Sequence, residues 1–176
     1  MKAMGFLMLL TLPAAAPGQS AESRTEPPFR SAAGAFLGLS VPDVQASARW
    51  YSEKLGLRVV MEAPKRDGAA VAVLEGGRLI VELVQLDAAV PLRSAAPTAK
   101  GPEFVHGIFK AGLLVEDFDR TVAMLRARGA EIAYGPFPAR GNQRANVVIR
   151  DNAGNLIQFF GPGPTPSPAR RPSGGA

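Results

Sequence analysis

The sequence has no cysteine and only one histidine in 176 residues. The first absence excludes a disulfide scaffold, thiol catalysis and cysteine-based metal sites. The second leaves His106 as the only imidazole the chain can offer a metal. Aromatics are sparse, at 7%, and they do not interleave with basic residues on one face, as nucleic-acid surfaces require. The net charge of +5 is also misplaced for that role. Much of it lies in the ends, where Lys2, Arg24, Arg30, Arg170 and Arg171 outnumber Glu22 and Glu26. No nucleic-acid partner is expected. No apolar run reaches the roughly 20 residues that a spanning helix needs, so no stable membrane insertion is expected either. What is present is 47% apolar residues, ample for the core of one domain.

Residues 1–21 read as an export signal. Lys2 supplies a positive start, Gly5 to Leu12 an apolar stretch, and Ala14, Ala16, Gly18 and Ser20 the small residues that follow. An exported location, periplasmic or secreted, is expected from it. Residues 22–33, with Pro27 and Pro28, read as a linker. Residues 162–176 are rich in proline and glycine, with no apolar side chain larger than alanine or proline to bury, so this tail is expected to be disordered.

Between these ends one pattern occurs twice. Phe36-Leu-Gly-Leu-Ser-Val-Pro-Asp43 precedes one helical stretch, and Lys110-Ala-Gly-Leu-Leu-Val-Glu-Asp117 precedes another. The copies coincide at Gly38 and Gly112, Leu39 and Leu113, Val41 and Val115, and Asp43 and Asp117, so a pseudo-symmetric domain over residues 34–161 is expected. The modules are 34–87 and 104–161.

In the first module, alternation predicts a strand over 35–41, with Leu37, Leu39 and Val41 toward helices and Phe36, Gly38 and Ser40 toward a cavity. Asp43 caps a helix over 44–55, which Gly56 ends. Strands follow over 57–61, 69–74 and 78–86, with turns at 64–68 and at Gly76-Gly77. Glu82, between apolar neighbours, is unusual for a strand interior and marks either an exposed edge or a polar site. The second module repeats the order. A strand over 104–115 puts Lys110, Gly112 and Leu114 on the cavity face. Asp117 caps a helix over 118–128 with Val122, Met124 and Leu125 inward. Strands follow over 130–134, 145–149 and 156–160. Gln158 corresponds to Glu82. The intervening 87–103 segment, with three prolines, is long for a compact domain and reads as a crossing connection or lid.

Several motifs carry a resemblance. They are Leu39-Ser-Val-Pro-Asp43 and Leu113-Leu-Val-Glu-Asp117 at strand-to-helix entries, Trp50-Tyr51 with Lys54-Leu-Gly-Leu57, and Arg150-Asp-Asn-Ala-Gly-Asn-Leu-Ile-Gln158. With the doubled β-α-β-β-β order, the chain resembles the vicinal oxygen chelate superfamily, which includes glyoxalase I, extradiol dioxygenases and bleomycin-binding proteins. The resemblance implies an α+β fold: a curved eight-stranded mixed sheet around a cavity, with helices outside. It also implies four metal-ligand positions, which fall here on Phe36, Glu82, Lys110 and Gln158. Of these only Glu82 is a competent carboxylate ligand, and Lys110 puts a cation where the metal belongs. His106, four residues before Lys110, lies about 13 Å away along an extended strand, too far to substitute. No metal cofactor is therefore expected.

Two functions follow from the resemblance. One is metal-independent binding of a small organic ligand, in a cavity lined by Phe36, Ser40, Leu114, Leu156, Gln158 and Phe160. Arg140 and Arg144 lie in a Gly-containing loop as candidate contacts for a carboxylate or phosphate. The other is a glyoxalase- or dioxygenase-like enzyme, with Glu82 as base or metal ligand and Lys110 stabilising developing negative charge. Lys110 either pairs with Glu82 in the cavity or extends to its mouth. The cavity closes either within one chain or across a homodimer.

Overall fold

The structure, a computed structural model, describes residues 34–163. The expected export signal, linker and nearly all of the expected tail lie outside the described residues. The fold is α+β, with eight strands in two four-stranded mixed sheets.

In the first module, β1 (Ala35–Ser40) leads to α1 (Val44–Trp50), then to β2 (Arg58–Arg66), β3 (Ala69–Gly76) and β4 (Leu79–Leu86). The sheet order is β1-β4-β3-β2, with β1 parallel to β4. In the second, β5 (Lys110–Leu114) precedes α3 (Phe118–Ala127), β6 (Glu131–Phe137), β7 (Asn146–Arg150) and β8 (Leu156–Phe160), in the order β5-β8-β7-β6. The short α2 (Leu92–Ala95) and a 3-10 turn, Pro102–Phe104, lie in the connecting segment. Among the described residues no helix is long and apolar enough to cross a membrane.

Both strand-to-helix entries follow their sequence. Asp43 Oδ1 accepts from Ala46 N–H, and Asp117 Oδ1 from Arg120 N–H, each at 2.9 Å. These caps satisfy amide donors that the first helical turn leaves without a partner. Gln85 in β4 adds a further acceptor, taking Val44 N–H at 2.9 Å. After Trp50 the helix widens into a π-helical turn, Tyr51–Leu55, and stops at Gly56 in the left-handed region.

Leu79, Val81 and Leu83 of β4 and Ala70, Ala72 and Leu74 of β3 face the core with Val44, Ala48 and Tyr51 of the helical segment. From the second module come Val122, Leu125, Val147, Ile149, Ile157 and Phe159, in the same cluster. The helices also meet reciprocally at their C-terminal ends. Arg128 donates to the Lys54 carbonyl at 3.4 Å, while Lys54 Nζ lies 3.6 Å from where a Cβ on Gly129 would stand. Cations at helix C-termini are favoured by the helix dipole.

Several boundaries differ from the sequence reading. Pro64 lies inside β2, and the turn is Asp67-Gly68, both at positive φ. An edge strand tolerates proline at a register shift, and β2 is an edge with a shift between Ala63 and Arg66. The second hairpin turns at Gly77-Arg78 instead of Gly76-Gly77, again with two positive φ values. Residues 104–109 are not strand, so His106 shares no strand face with Lys110. Met124, expected inward, is exposed on α3.

Candidate functional site

The strand residues singled out in the sequence fall on one face of each sheet, the face turned away from the helices. In the first module that face carries Phe36, Gly38 and Ser40 of β1, beside Ile80, Glu82 and Val84 of β4. Gly38 pairs with Glu82 in register. A Cβ on Gly38 would stand 3.7 Å from Glu82 Oε2 and 3.7 Å from Phe36 Cε1. The missing side chain therefore opens the space in which the carboxylate lies, between an aromatic edge and aliphatic strand neighbours. Glu82 has no hydrogen bond or ion pair among the described residues. Phe36 is 60% exposed and Ser40 is also exposed, so this face is open.

The second module departs from this pattern. Lys110, Gly112 and Leu114 of β5 stand beside Leu156, Gln158 and Phe160 of β8. Here the space over Gly112 is taken by the Phe160 ring, whose Cε2 lies 3.2 Å from a Cβ built there. Gln158 is buried and donates through Nε2 to Asn146 Oδ1 at 2.9 Å. Asn146 in turn donates through Nδ2 to the Arg144 carbonyl at 3.2 Å. Gln158 thus belongs to a buried polar chain between β7 and β8. The sequence reading did not identify Asn146. The signal was available: Asn146 and Gln158 share a sheet face on adjacent strands, in the diagonal relation that permits side-chain contact.

Lys110 and Glu82 do not form an ion pair, so the intramolecular pairing considered from sequence is absent. Lys110 is half-buried, with Nζ 5.3 Å from the centroid of the Phe109 ring, within reach of a cation–π attraction. Loss of hydration holds its amine below the usual lysine range. Leu156 is buried, Phe160 is half-buried and Leu114 is 65% exposed. The expected apolar lining is therefore split between core and open surface within one chain.

Arg144 donates through a guanidinium nitrogen to the Gly161 carbonyl at 3.2 Å and so pins the chain leaving β8. Arg140 is exposed at a small bridge with Gln143. His106 is on the connecting segment, apart from both sheet faces, and lines an open cavity of about 530 Å³ with Lys100 and Phe104.

The four family ligand positions do not make a metal site. Phe36 has no donor atom, Lys110 is a cation, and the Gln158 amide is engaged with Asn146. Among the described residues no group of three or more His, Cys, Asp or Glu is placed to hold a metal ion.

Comparison with known proteins agrees with this architecture. The model of the family described as the Glyoxalase/Bleomycin resistance protein/Dioxygenase superfamily matches residues 35–159. A stretch of 57 residues is 32% identical to a probable chloroplastic lactoylglutathione lyase of Arabidopsis thaliana. That stretch covers 32% of this chain and 16% of the plant protein. A glyoxylase/bleomycin resistance protein/dioxygenase domain from Frankia sp. EAN1pec superposes with a TM-score of 0.59 at 19% identity, covering 79% of this chain and 96% of that one. An antibiotic binding protein from Streptomyces sp. CB03234 superposes with a TM-score of 0.51 at 18% identity, covering 76% of this chain and 98% of that one.

Proposed function

The chain belongs to the Glyoxalase/Bleomycin resistance protein/Dioxygenase superfamily, and from that membership we propose that it binds a small organic ligand without a catalytic metal, on the faces carrying Glu82 and Lys110. One observation carries the reading: three of the four family ligand positions hold a phenyl ring, an ammonium and a hydrogen-bonded buried amide. Divalent nickel, zinc or iron favours imidazole and carboxylate donors. What remains on these faces is one carboxylate, one ammonium and exposed apolar side chains, which suits an organic molecule with a flat or greasy part.

The open faces favour a homodimer. Phe36 and Leu114 are both largely exposed. Glu82 in one module and Lys110 in the other are of opposite charge, and neither has a salt-bridge partner among the described residues. A two-fold arrangement that lays the second module of one copy over the first module of the other would pair Glu82 with Lys110 twice and enclose the ligand between copies. In this reading residues 1–21 export the chain, and nucleic acid is not a partner.

A second reading, an enzyme of glyoxalase or dioxygenase type, draws on the short likeness to the plant lyase. Glu82 would then take a proton from the substrate, and the Lys110 ammonium would stabilise the negative charge that develops.

The test is metal content and thermal response of the purified chain beside Glu82→Ala. The binding reading expects no stoichiometric metal and no rise in Tm with zinc, nickel or iron. A rise that requires Glu82 would overturn it and turn attention to the enzymatic reading. A thermal-shift screen of aromatic antibiotics and small organic acids then seeks the ligand.

A further inference from the structure

The geometry points to a second ligand site, for a small aromatic carboxylate, in the cavity of the connecting segment lined by Lys100, Phe104 and His106. It stands apart from the sheet faces and does not rest on the function proposed for them.

The segment runs from Asp87 to Phe109 between β4 and β5, with only one short helix and one 3-10 turn of its own. Connections of this length are uncommon in compact domains, where the median is about 4–6 residues, and are often functional. Its backbone is turned on itself: Ala99 N–H donates to the Ala96 carbonyl at 3.1 Å, Phe104 to Gly101 at 3.1 Å and Val105 to Pro102 at 3.2 Å. The concavity so formed has a volume of about 530 Å³, inside the range of roughly 300–1,000 Å³ for small-molecule sites.

The lining is chemically one-sided. Lys100, His106 and Thr98 are its polar residues, and among the described residues no Asp or Glu lines it. The nearest acid in sequence, Glu103, turns instead over Gly101, where a Cβ would meet its Oε2 at 2.6 Å. Neither Lys100 nor His106 has a salt-bridge partner among the described residues. The remaining wall is Ala96, Ala99, Val105 and the Phe104 ring, which is 63% exposed. A lining that combines a lysine without a salt-bridge partner, an exposed phenylalanine and small aliphatic residues suits a ligand with one anionic group and one flat apolar ring. The site is open to solvent, so a single-ring molecule fits it better than a large cofactor.

The chain's one histidine is part of the lining, so its ring resonances report on this cavity without assignment of the rest. The experiment titrates the untagged full chain with benzoate while the His106 imidazole protons are followed by NMR. Benzamide serves as the neutral analogue. A saturable shift is expected, with Kd at least about tenfold weaker for benzamide and for Lys100→Gln, as loss of one charge-assisted bond implies. Phe104→Ala is expected to weaken binding comparably, and Glu82→Gln to leave it unchanged. Both Lys100 and Phe104 are exposed, so neither variant threatens folding. Unmoved or non-saturating His106 signals overturn the proposal, as does equal affinity in Lys100→Gln. Benzoate binding that leaves His106 unmoved and depends on Glu82 also overturns it, and places the ligand on the sheet faces.

Discussion

The Tyr51 hydroxyl donates to Asp151 Oδ2 at 2.9 Å, and both residues are buried. Tyr51 comes from the helical segment of the first module and Asp151 from the β7–β8 turn of the second. The same carboxylate accepts the backbone N–H of Ala153 at 2.9 Å and of Asn155 at 2.7 Å, and Asn155 Nδ2 at 2.8 Å. One side chain therefore shapes a turn and fastens the other module to it.

Removing the hydroxyl tests the fastening. Tyr51→Phe leaves the ring in the core and deprives a buried carboxylate of one of its donors, at a cost of about 1–3 kcal/mol. Asp151→Ala strands several donors at once and is expected to cost more. Urea denaturation of both variants and of their combination gives the coupling energy. A cycle that adds without coupling would show that the bond contributes nothing to stability.

The same pair predicts a dependence on alkaline pH. Burial, then the charge of Asp151 and its hydrogen bond, raise the Tyr51 phenol well above its ordinary value. The protonated form is thus favoured in the folded chain. Below about pH 10, the unfolded value, both states keep the proton and the full stability is present. Above it only the unfolded chain releases the proton, and stability falls by up to about 1.4 kcal/mol per pH unit. The difference between wild type and Tyr51→Phe, measured from pH 8 to pH 11, isolates this contribution. Parallel profiles for the two proteins would refute it.

Lys110 shifts in the opposite sense. Loss of hydration lowers its pKa in the folded chain, so charging the amine opposes folding. At pH values below that lowered pKa the cost is present in full, and it is relieved as pH rises toward the unfolded value of about 10.4. After reductive methylation with ¹³C-formaldehyde, the Lys110 resonance is expected to titrate below the usual lysine range. Lys110→Met assigns the signal. Titration at the ordinary lysine value would remove the basis for a desolvated amine on this face.

Ser47 is fully buried in α1, and its Oγ has no hydrogen-bond partner among the described residues. A buried hydroxyl without a partner opposes folding. Ser47→Ala is therefore expected to leave stability unchanged or to raise it by about 1 kcal/mol, read as an unchanged or higher Tm. A loss above about 1 kcal/mol would mean that the hydroxyl is satisfied in solution.

What was legible in the sequence was local. Asp43 and Asp117 cap helices because a short carboxylate just before a helix reaches the amides three residues on. The doubled strand order could be read because alternation and turn residues recur at matching places. Pro64 misled because its fit in β2 depends on an edge position and a register shift, both properties of the assembled sheet. The Glu82–Lys110 relationship was beyond reach for a similar reason. Sequence register fixes which face each side chain takes, whereas the separation of the two faces depends on how the modules pack. Gln158 looked like a cavity group until Asn146, twelve residues away, took its amide.

The dimer proposal makes the sharpest demand on Glu82 and Lys110. Neither has a salt-bridge partner among the described residues, and in the two-fold arrangement each meets its opposite on the second copy. Glu82→Lys would place two ammonium groups together at both symmetry-related contacts. One lost charge pair at an interface weakens binding by roughly tenfold or more, so two equivalent losses should weaken the dimer by about a hundredfold. Lys110→Glu should do the same by opposing carboxylates. Combining the two exchanges the charges and restores attraction, so the double variant is expected to recover dimerisation to within about tenfold of wild type. Sedimentation equilibrium across a concentration series reads all four proteins. Recovery in the double variant would place Glu82 opposite Lys110 across the interface. A double variant as weak as either single one would separate the two residues and leave the open faces of Phe36 and Leu114 to be covered in another way.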